Sequence, residues 1–242
     1  MPPPGPRSRK LAAQLREVES RNVTYVGAHA PIFLAAGRGA NLRDVDGNTY
    51  VDLSGAFAVA AAGHANPAVA KAIGGAAARL LHAMGDVYPT QEKVALAKLL
   101  CDLTPGDGPK RVIFASSGAE AVETALKTAA IATGKPGVLC FSGAYHGLTY
   151  GALAVTDREH FRRPFAEQLG TFASRVPYPD RSACSASVSC PPCDLTCLRP
   201  VEEALRSAGG IDIGAVIVEP AQGRGGDIFA PDAWLRALRS LC

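Results

Sequence analysis

The chain has 242 residues, and its 25 lysines and arginines against 22 aspartates and glutamates give a formal net charge of +3. The charges are mixed and form no basic block, which argues against a nucleic-acid partner. No apolar run approaches the roughly 18 residues that a membrane span needs, and seven cysteines without a secretory signal indicate a reducing, cytoplasmic location.

The N-terminal region combines a polar tail, a helix and a hairpin. Residues 1–9 are polar and rich in proline, so we predict a disordered tail. Apolar residues at helical spacing predict a short amphipathic helix over residues 10–21. Residues 40–53 predict two strands joined by a turn at Asp46 and Gly47, because an Asp-Gly pair is a strong hairpin signal.

From residue 66 onward, helical patterns alternate with short apolar runs. Asn66 and Thr90 are predicted to cap the helices over residues 67–81 and 91–101. The predicted strands after them cover residues 111–115, 137–141, 152–155 and 214–220, and the predicted helices cover residues 119–132, 200–208 and 231–242. This alternation predicts an α/β fold with a mostly parallel sheet that is covered by helices on both faces.

Four cysteines are crowded into one loop of this region: Cys184, Cys190, Cys193 and Cys197. Cys190 and Cys193 have the C-x-x-C spacing of zinc sites, and four thiolates can complete a tetrahedral shell. A surface insertion that happens to be rich in cysteine accounts for the same residues, because the loop has no second C-x-x-C pair. A metal site and a plain insertion both remain open at this point.

Small residues occupy the junction between the predicted strand 111–115 and the next helix: Ser116, Ser117, Gly118 and Ala119. A helix N-terminus carries a partial positive charge and backbone amides without partners, so small residues there let a phosphate approach. An ordinary N-cap by one of the serines, with nothing bound, accounts for the same pattern. The chain has no G-x-G-x-x-G motif and no P-loop, so the usual nucleotide signatures are absent.

Polar and aromatic side chains follow two further predicted strands. Tyr145 and His146 lie in the loop after the strand 137–141, and Glu219 and Gln222 come at the end of the strand 214–220. The carboxyl ends of parallel strands meet at one edge of a sheet, where ligands gather in open α/β folds. This set suits a flat aromatic phosphate ester, with its phosphate at the helix start and its ring against the tyrosine.

Five motifs follow one another along the chain, and they read GANLRDVDGNTYVDL, GHANPAVAKAI, SSGAEAVETALKTA, AYHGLTYGAL and EPAQGRGG. In this order they resemble the class III aminotransferases, which use pyridoxal 5′-phosphate and adopt fold type I, the aspartate-aminotransferase-like fold. The resemblance implies that Ser117, Gly118 and Ala119 hold the cofactor phosphate. It also implies that Tyr145 stacks on the pyridine ring and that His146 packs beside it.

The resemblance also implies residues at the substrate end of the pocket. Glu219 matches the glutamate of the family's Glu-Pro motif, which lies there. Phe57 falls where such enzymes place a residue that lines the substrate pocket, although a phenylalanine of the hydrophobic core fits the sequence equally well.

The same resemblance divides the chain into regions. Residues 10–56 are expected to form the N-terminal part of the small domain, and residues 57–242 the cofactor-binding large domain, truncated at its C-terminal end. In relatives, the Schiff-base lysine and the aspartate that pairs with the pyridinium nitrogen follow the Glu-Pro motif. None of the seven lysines of this chain matches that lysine's position. We therefore expect no catalytic lysine in this chain.

The resemblance implies a transaminase that moves an amino group from an amine or amino acid to a 2-oxo acid and that works as a homodimer. We expect this 242-residue chain to be inactive without the lysine. Two alternatives from other classes stay open. One is a non-catalytic fragment that binds pyridoxal phosphate or dimerises, and the other is a metal-binding interaction module built on the cysteine cluster.

Overall fold

The computed structural model describes residues 2–21, 23–25, 27, 31–179, 195–206 and 211–242. The chain divides into two compact units, Met1–Lys98 and Leu99–Cys242. This boundary differs from the predicted one after residue 56, and the assignment of small and large domains remains a prediction. In the described ranges, no helix is long and apolar enough to cross a membrane.

The first unit contains a three-stranded antiparallel sheet. Its strands are β1 (Leu34–Arg38), β2 (Asn41–Asp44) and β3 (Thr49–Val51), and they lie in the order of the chain. The predicted hairpin is confirmed, since β2 pairs with β3 around the Asp46-Gly47 turn. Gly47 has a φ of +93° in this turn, a conformation that a residue without a Cβ adopts without strain.

Helix α1 (Pro6–Val18) precedes this sheet and begins earlier than the sequence predicts. The last four residues of the predicted tail, 1–9, are helical, so the prediction of disorder is wrong for them. The reason is a distant carboxylate: Asp46 accepts hydrogen bonds from the amides of Arg7 and Ser8 at 2.7 and 3.0 Å. These bonds satisfy amides that the first turn of a helix leaves without partners.

Both predicted capping residues in the middle of the chain are confirmed. Helix α2 (Pro67–Arg79) follows Asn66, whose side chain accepts hydrogen bonds from two amides of the first turn. Helix α3 (Gln91–Leu103) follows Thr90, whose hydroxyl oxygen accepts a hydrogen bond from the amide of Lys93 at 3.3 Å. Side-chain oxygens at these positions replace the backbone acceptors that a first turn lacks.

The second unit alternates strands and helices. Its described helices are α4 (Gly118–Thr133), α5 (Tyr150–Val155), α6 (Glu159–Arg162), α7 (Arg199–Arg206), α8 (Gly223–Gly226) and α9 (Asp232–Leu241), with 3-10 turns at Arg163–Gln168 and Thr196–Leu198. Its described strands are β4 (Gly137–Phe141), β5 (Ala173–Val176), β6 (Ile213–Val216), β7 (Ala221–Gln222) and β8 (Ile228–Phe229).

Strand β4 is the centre of a parallel sheet with the order β5-β4-β6. Val138 is paired with Ala173 on one side and with Ala215 on the other. Both pairings are parallel, so the predicted α/β fold with a parallel sheet is confirmed. The loops that follow β4 and β6 therefore leave the sheet at the same edge.

Helices cover both faces of this sheet. The buried cluster on the side of α7 and α9 consists of Leu139, Phe141, Val176, Leu198, Val201, Ala230, Trp234 and Leu238. The buried cluster on the other side consists of Val138, Cys140 and Val155, against which Val122 and Leu126 of α4 pack. Successive residues of β4 thus face opposite layers, as strand geometry requires.

Two of the predicted strands are wrong. Residues 111–115 pair with no strand in the described part of the chain, and Ile113 is 66% exposed. Residues 152–155 form the end of helix α5, because the carboxylate of Glu123 accepts hydrogen bonds from the amides of Gly151 and Ala152 at 2.7 and 3.1 Å and so stabilises a helix start. Strands β1, β5, β7 and β8 were not predicted.

Candidate functional site

The start of helix α4 is capped by Ser117. This residue has extended backbone angles, φ −149° and ψ 163°, and its hydroxyl oxygen accepts a hydrogen bond from the amide of Glu120 at 3.2 Å. The carboxylate of Glu120 in turn accepts a hydrogen bond from the amide of Ser116 at 2.7 Å. The N-cap that the sequence left open between the two serines is therefore Ser117.

Two backbone amides at this helix start have no hydrogen-bond acceptor among the described residues. The backbone N–H groups of Gly118 and Ala119 make no hydrogen bond with the described residues. Gly118 is exposed, and a Cβ built on it would meet no atom within 4 Å. The helix start is thus capped and still presents two free donors to open space, which is the arrangement that binds anions at helix N-termini.

The loop after β4 comes close to this helix start. A Cβ built on Gly147 would lie only 2.7 Å from the Cβ of Ala119, and Gly147 has a φ of +137°. Both facts require glycine, since a side chain would clash and the backbone angle is strained for any other residue. The approach brings the neighbouring residues Tyr145 and His146 to the same end of α4.

The backbone of Tyr145 is held by Glu219, which lies at the end of the predicted strand 214–220. Its amide donates a hydrogen bond to Oε1 of Glu219 at 2.8 Å. Its ring contacts Phe161 edge-on at 6.1 Å between centroids, and the guanidinium carbon of Arg224 lies 4.4 Å from its centroid. The structure therefore brings Tyr145 and Glu219 together, as predicted from parallel strand ends.

His146 is partly buried, and its amide donates a hydrogen bond to the hydroxyl oxygen of Thr156 at 2.9 Å. Burial lowers the pKa of His146, so the ring is neutral near pH 7. Its Nε2 is inaccessible and has no hydrogen-bond partner among the described residues. A buried ring nitrogen without a hydrogen-bond partner is energetically costly.

Glu219 lies in a partly apolar setting at the edge of the sheet. Burial raises the pKa of this carboxyl group, and the hydrogen bond from the amide of Tyr145 lowers it by less. The backbone around it is held by Tyr178, whose hydroxyl donates to the carbonyl oxygens of Glu219 and Pro220 at 2.8 and 3.0 Å. Glu219 is therefore a positioned acceptor next to the aromatic loop.

Two contributors to this site were not predicted from the sequence. Arg224 was not singled out, although a charged residue between glycines after a strand end was a usable signal. Thr156 was missed because it gave no local signal: its hydroxyl donates to carbonyl oxygens of Gly147 and Ala152 and orients the loop only through the fold. Gln222 is buried, and its place at a ligand site stays a prediction.

Phe57 belongs to the first unit. Its side chain is 94% exposed, and its φ is +57°. The alternative that Phe57 belongs to the hydrophobic core is therefore wrong, because a core residue is shielded from water. Its assignment to the substrate pocket stays a prediction.

The cysteine cluster falls mostly outside the described residues, which omit Cys184, Cys190 and Cys193. Cys197 lies in the 3-10 turn Thr196–Leu198 and packs against the core of the second unit. Among the residues that the structure does describe, no group of His, Cys, Asp and Glu side chains has an arrangement that holds a metal ion. The metal site stays an untested prediction.

Comparison with known sequences identifies a family. Residues 24–242 match the aminotransferase class-III family. The chain is 35% identical to a 4-aminobutyrate aminotransferase of Mycobacterium bovis over 244 residues, which cover 99% of this chain and 53% of the relative. It is 34% identical to an acetylornithine aminotransferase of Methanosarcina acetivorans, over 93% of this chain and 51% of the relative. The chain thus spans about half the length of the curated relatives that it matches.

Comparison with solved structures gives the same fold. A taurine:2-oxoglutarate aminotransferase from Bifidobacterium kashiwanohense, solved in complex with PLP and glutamate, has a TM-score of 0.85 and 25% identity over 97% of this chain and 53% of that one. An omega-transaminase from Thermomicrobium roseum has a TM-score of 0.84 and 24% identity over 97% of this chain and 54% of that one. These likenesses confirm the predicted fold type I.

Proposed function

The chain belongs to the class-III aminotransferase family, and we propose that it binds pyridoxal 5′-phosphate for the transfer of an amino group from an amine or amino acid to a 2-oxo acid. Enzymes of this family use that cofactor. The observation that carries the proposal is the pair of unpartnered amides at Gly118 and Ala119 beside the loop of Tyr145. Anion donors and an aromatic ring at one sheet edge suit a flat phosphate ester.

In this proposal, the phosphate lies at the start of helix α4. The amides of Gly118 and Ala119 donate to it, and the hydroxyl of Ser117 lies beside them. The open space at Gly118 supports this placement, because a phosphate oxygen needs direct access to the backbone. The partial positive charge of the helix N-terminus adds to the attraction.

The remaining site residues orient the cofactor ring and the substrate. Tyr145 stacks on the pyridine ring, and the neutral imidazole of His146 packs beside it. Glu219 holds the Tyr145 loop through its amide and lies at the substrate end. When bound, pyridoxal phosphate supplies an electron sink for the carbon that carries the amino group.

The test separates the phosphate contact from the rest of the site. Gly118→Pro removes one amide donor, yet proline suits the first position of a helix, and the extended backbone of Ser117 suits a residue before proline. Gly118→Ala keeps the amide and has room for its methyl group. We expect Gly118→Pro to weaken pyridoxal phosphate binding by about 10- to 100-fold, the usual effect of losing a hydrogen bond to a charged group.

The matched ligand is pyridoxal, which lacks the phosphate. Binding of both ligands is measured by calorimetric titration, and circular dichroism verifies that each variant is folded. Gly118→Ala should bind pyridoxal phosphate within about 3-fold of the wild type, and Gly118→Pro should leave the affinity for pyridoxal unchanged. Equal affinity of the two variants for pyridoxal phosphate would refute the phosphate site.

Catalytic turnover needs a proton-shuttling lysine in addition to these residues. None of the seven lysines matches the family position, so the residues of this chain account for cofactor binding and not for turnover. Borohydride treatment of the protein with pyridoxal phosphate, followed by mass spectrometry, tests this point. A cofactor fixed on one lysine, together with turnover, would contradict the proposed inactivity. The same result would exclude the alternative that the chain only binds the cofactor.

We also propose that the protein forms a homodimer and is located in the cytoplasm. Large apolar side chains of the second unit are exposed, among them Leu103 at 72% and Ile131 at 85%, and such surface is usually covered by a partner. Cys101, Cys140 and Cys242 carry free thiols, which suit a reducing compartment. Light scattering of the purified protein tests the dimer, and a monomer at micromolar concentration would contradict it.

A further inference from the structure

Arg224 places a positive charge against the ring of Tyr145. Its guanidinium carbon lies 4.4 Å from the ring centroid, within the ~6 Å over which a cation and an aromatic face attract each other. The side chain is exposed, and it forms no ion pair with the described residues. Its planar set of N–H donors therefore remains open to an incoming anion.

The backbone around Arg224 is packed against the loop that carries Tyr145. Gln222 is 1% exposed, and its Nε2 donates a hydrogen bond to the carbonyl oxygen of Ser142 at 2.8 Å. A Cβ built on Gly225 would lie 3.0 Å from a carbonyl oxygen of the same loop. Arg224 thus lies in a short segment whose residues on both sides, Gln222 and Gly225, pack against this loop. The packing places its side chain next to the ring of Tyr145.

The charges around Tyr145 favour a negatively charged ligand at this point. In the described part of the chain, Tyr145 has a hydrogen bond with Glu219, a ring contact with Phe161 and a cation–π contact with Arg224. Glu219 accepts its hydrogen bond from the backbone of Tyr145 and makes no ion pair with Arg224 in this structure. Among the described residues in contact with this tyrosine, the guanidinium is therefore the group suited to an anion.

We propose that Arg224 binds the carboxylate of the amino-acid or oxo-acid substrate and so makes this site selective for substrates that carry a carboxylate over simple amines. The inference rests on the proposed function, because Tyr145 marks the ligand only if the cofactor ring stacks there. A guanidinium matches a carboxylate through two parallel hydrogen bonds, a geometry that a lysine ammonium does not reproduce. Arg224 is then a specificity-determining residue.

A purely structural role for Arg224 predicts a different result. If the guanidinium only covers the tyrosine ring, its removal affects every ligand of the site to the same degree. Carboxylate recognition instead changes the ratio of affinities between two ligands that differ by that one group. The ratio is therefore the quantity to measure, with Arg224→Gln, Arg224→Lys and the distant exposed Arg239→Gln as a matched control.

The experiment uses the full chain saturated with pyridoxal 5′-phosphate and calorimetric titration with 5-aminopentanoate or pentylamine. These ligands have the same length and the same amine, and only the first has a carboxylate. Arg224→Gln should weaken binding of 5-aminopentanoate by about 10-fold or more and that of pentylamine by less than about 2-fold. Arg224→Lys should retain part of the preference, and Arg239→Gln all of it.

Each outcome decides between the possibilities. An equal loss for both ligands, or an unchanged ratio in Arg224→Gln, would overturn carboxylate recognition while the cofactor titration of the same variants still supported the proposed function. The wild-type chain is first titrated with pyridoxal phosphate alone. If it failed to bind the cofactor, the proposed function and the role of Arg224 would both be overturned.

Discussion

The amide of Tyr145 donates a 2.8 Å hydrogen bond to the carboxylate of Glu219, 74 positions further along the chain. The two residues lie in the loops after the neighbouring strands β4 and β6. This bond ties the aromatic loop to the Glu-Pro segment, so the position of the tyrosine depends on a carboxylate from another strand end. Substitution of Glu219 should therefore also disturb the loop that carries Tyr145.

We expect Glu219→Ala to lower the free energy of unfolding by about 1–3 kcal/mol, because the partly buried amide of Tyr145 then loses its hydrogen-bond acceptor. Glu219→Gln keeps a carbonyl oxygen at the same place and should cost less. Burial raises the pKa of Glu219, so the carboxylate's desolvation opposes folding at neutral pH, and the amide of glutamine avoids that cost. Urea unfolding at pH 7 measures both variants.

Glu167→Ala is the control for this comparison. Glu167 is exposed and its side chain makes no hydrogen bond with other described residues, so its replacement should change the unfolding free energy by less than about 0.5 kcal/mol. If Glu219→Ala were as stable as this control, the hydrogen bond to Tyr145 would make no contribution to the free energy of unfolding.

Gly147→Ala should destabilise the second unit by roughly 2 kcal/mol or more. The added methyl group would lie 2.7 Å from the Cβ of Ala119, and a φ of +137° is strained for alanine. Since the clash pushes the loop away from the start of α4, the affinity for pyridoxal phosphate should fall as well. Thermal unfolding with and without the cofactor measures both effects.

Gly74→Ala gives the opposite expectation from the same chemical change. Gly74 lies inside helix α2, and a Cβ built there meets no atom within 4 Å. Alanine should stabilise this helix by about 0.5–1 kcal/mol, because glycine has the larger backbone entropy in the unfolded chain. Equal effects at positions 74 and 147 would mean that the contact with Ala119 does not constrain the loop.

His146 should remain neutral in the folded protein at a pH where an unfolded histidine is already charged. Burial lowers the pKa of His146, so the unfolded chain takes up the proton first as the pH falls below about 6.5. The stability that the neutral ring contributes is present above that pH and is lost as the pH falls toward the lowered value. Nuclear magnetic resonance of the imidazole signals measures the titration directly.

The signal of His146 is assigned by its absence from the spectrum of His146→Gln. The internal reference is the same protein unfolded in urea, in which the ring should titrate near the ordinary value of about 6.5. A titration midpoint that is the same in the folded and unfolded protein would contradict the buried position of the ring.

Local signals in the sequence predicted much of the fold. The hairpin at Asp46, the cap at Asn66 and helix α4 all depend on residues within a few positions of each other, and all three are present. The start of α1 and the helical state of residues 152–155 were missed. Both depend on carboxylates far away in the chain, Asp46 and Glu123, which no local pattern reveals.

The residues of the candidate site were likewise predicted where the signal was local and missed where it depended on distant contacts. The small residues before α4 indicated an open helix start, and the strand ends correctly brought Tyr145 and Glu219 together. The glycines on either side of Arg224 were a local signal for this residue, but its contact with Tyr145 could not be predicted, since that contact requires Gln222 and Gly225 to pack on a loop from another strand. The contacts with the cofactor remain predictions.

The central place of β4 has a consequence for synthesis on the ribosome. Residues emerge in chain order at about 5–20 per second, so Ala173 is available to pair with Val138 before Ala215 is. Until β6, α7 and α9 emerge, the side of β4 that carries Leu139 and Phe141 has no cover from these elements. A translational pause before residue 213 would lengthen that interval and increase the demand for chaperones.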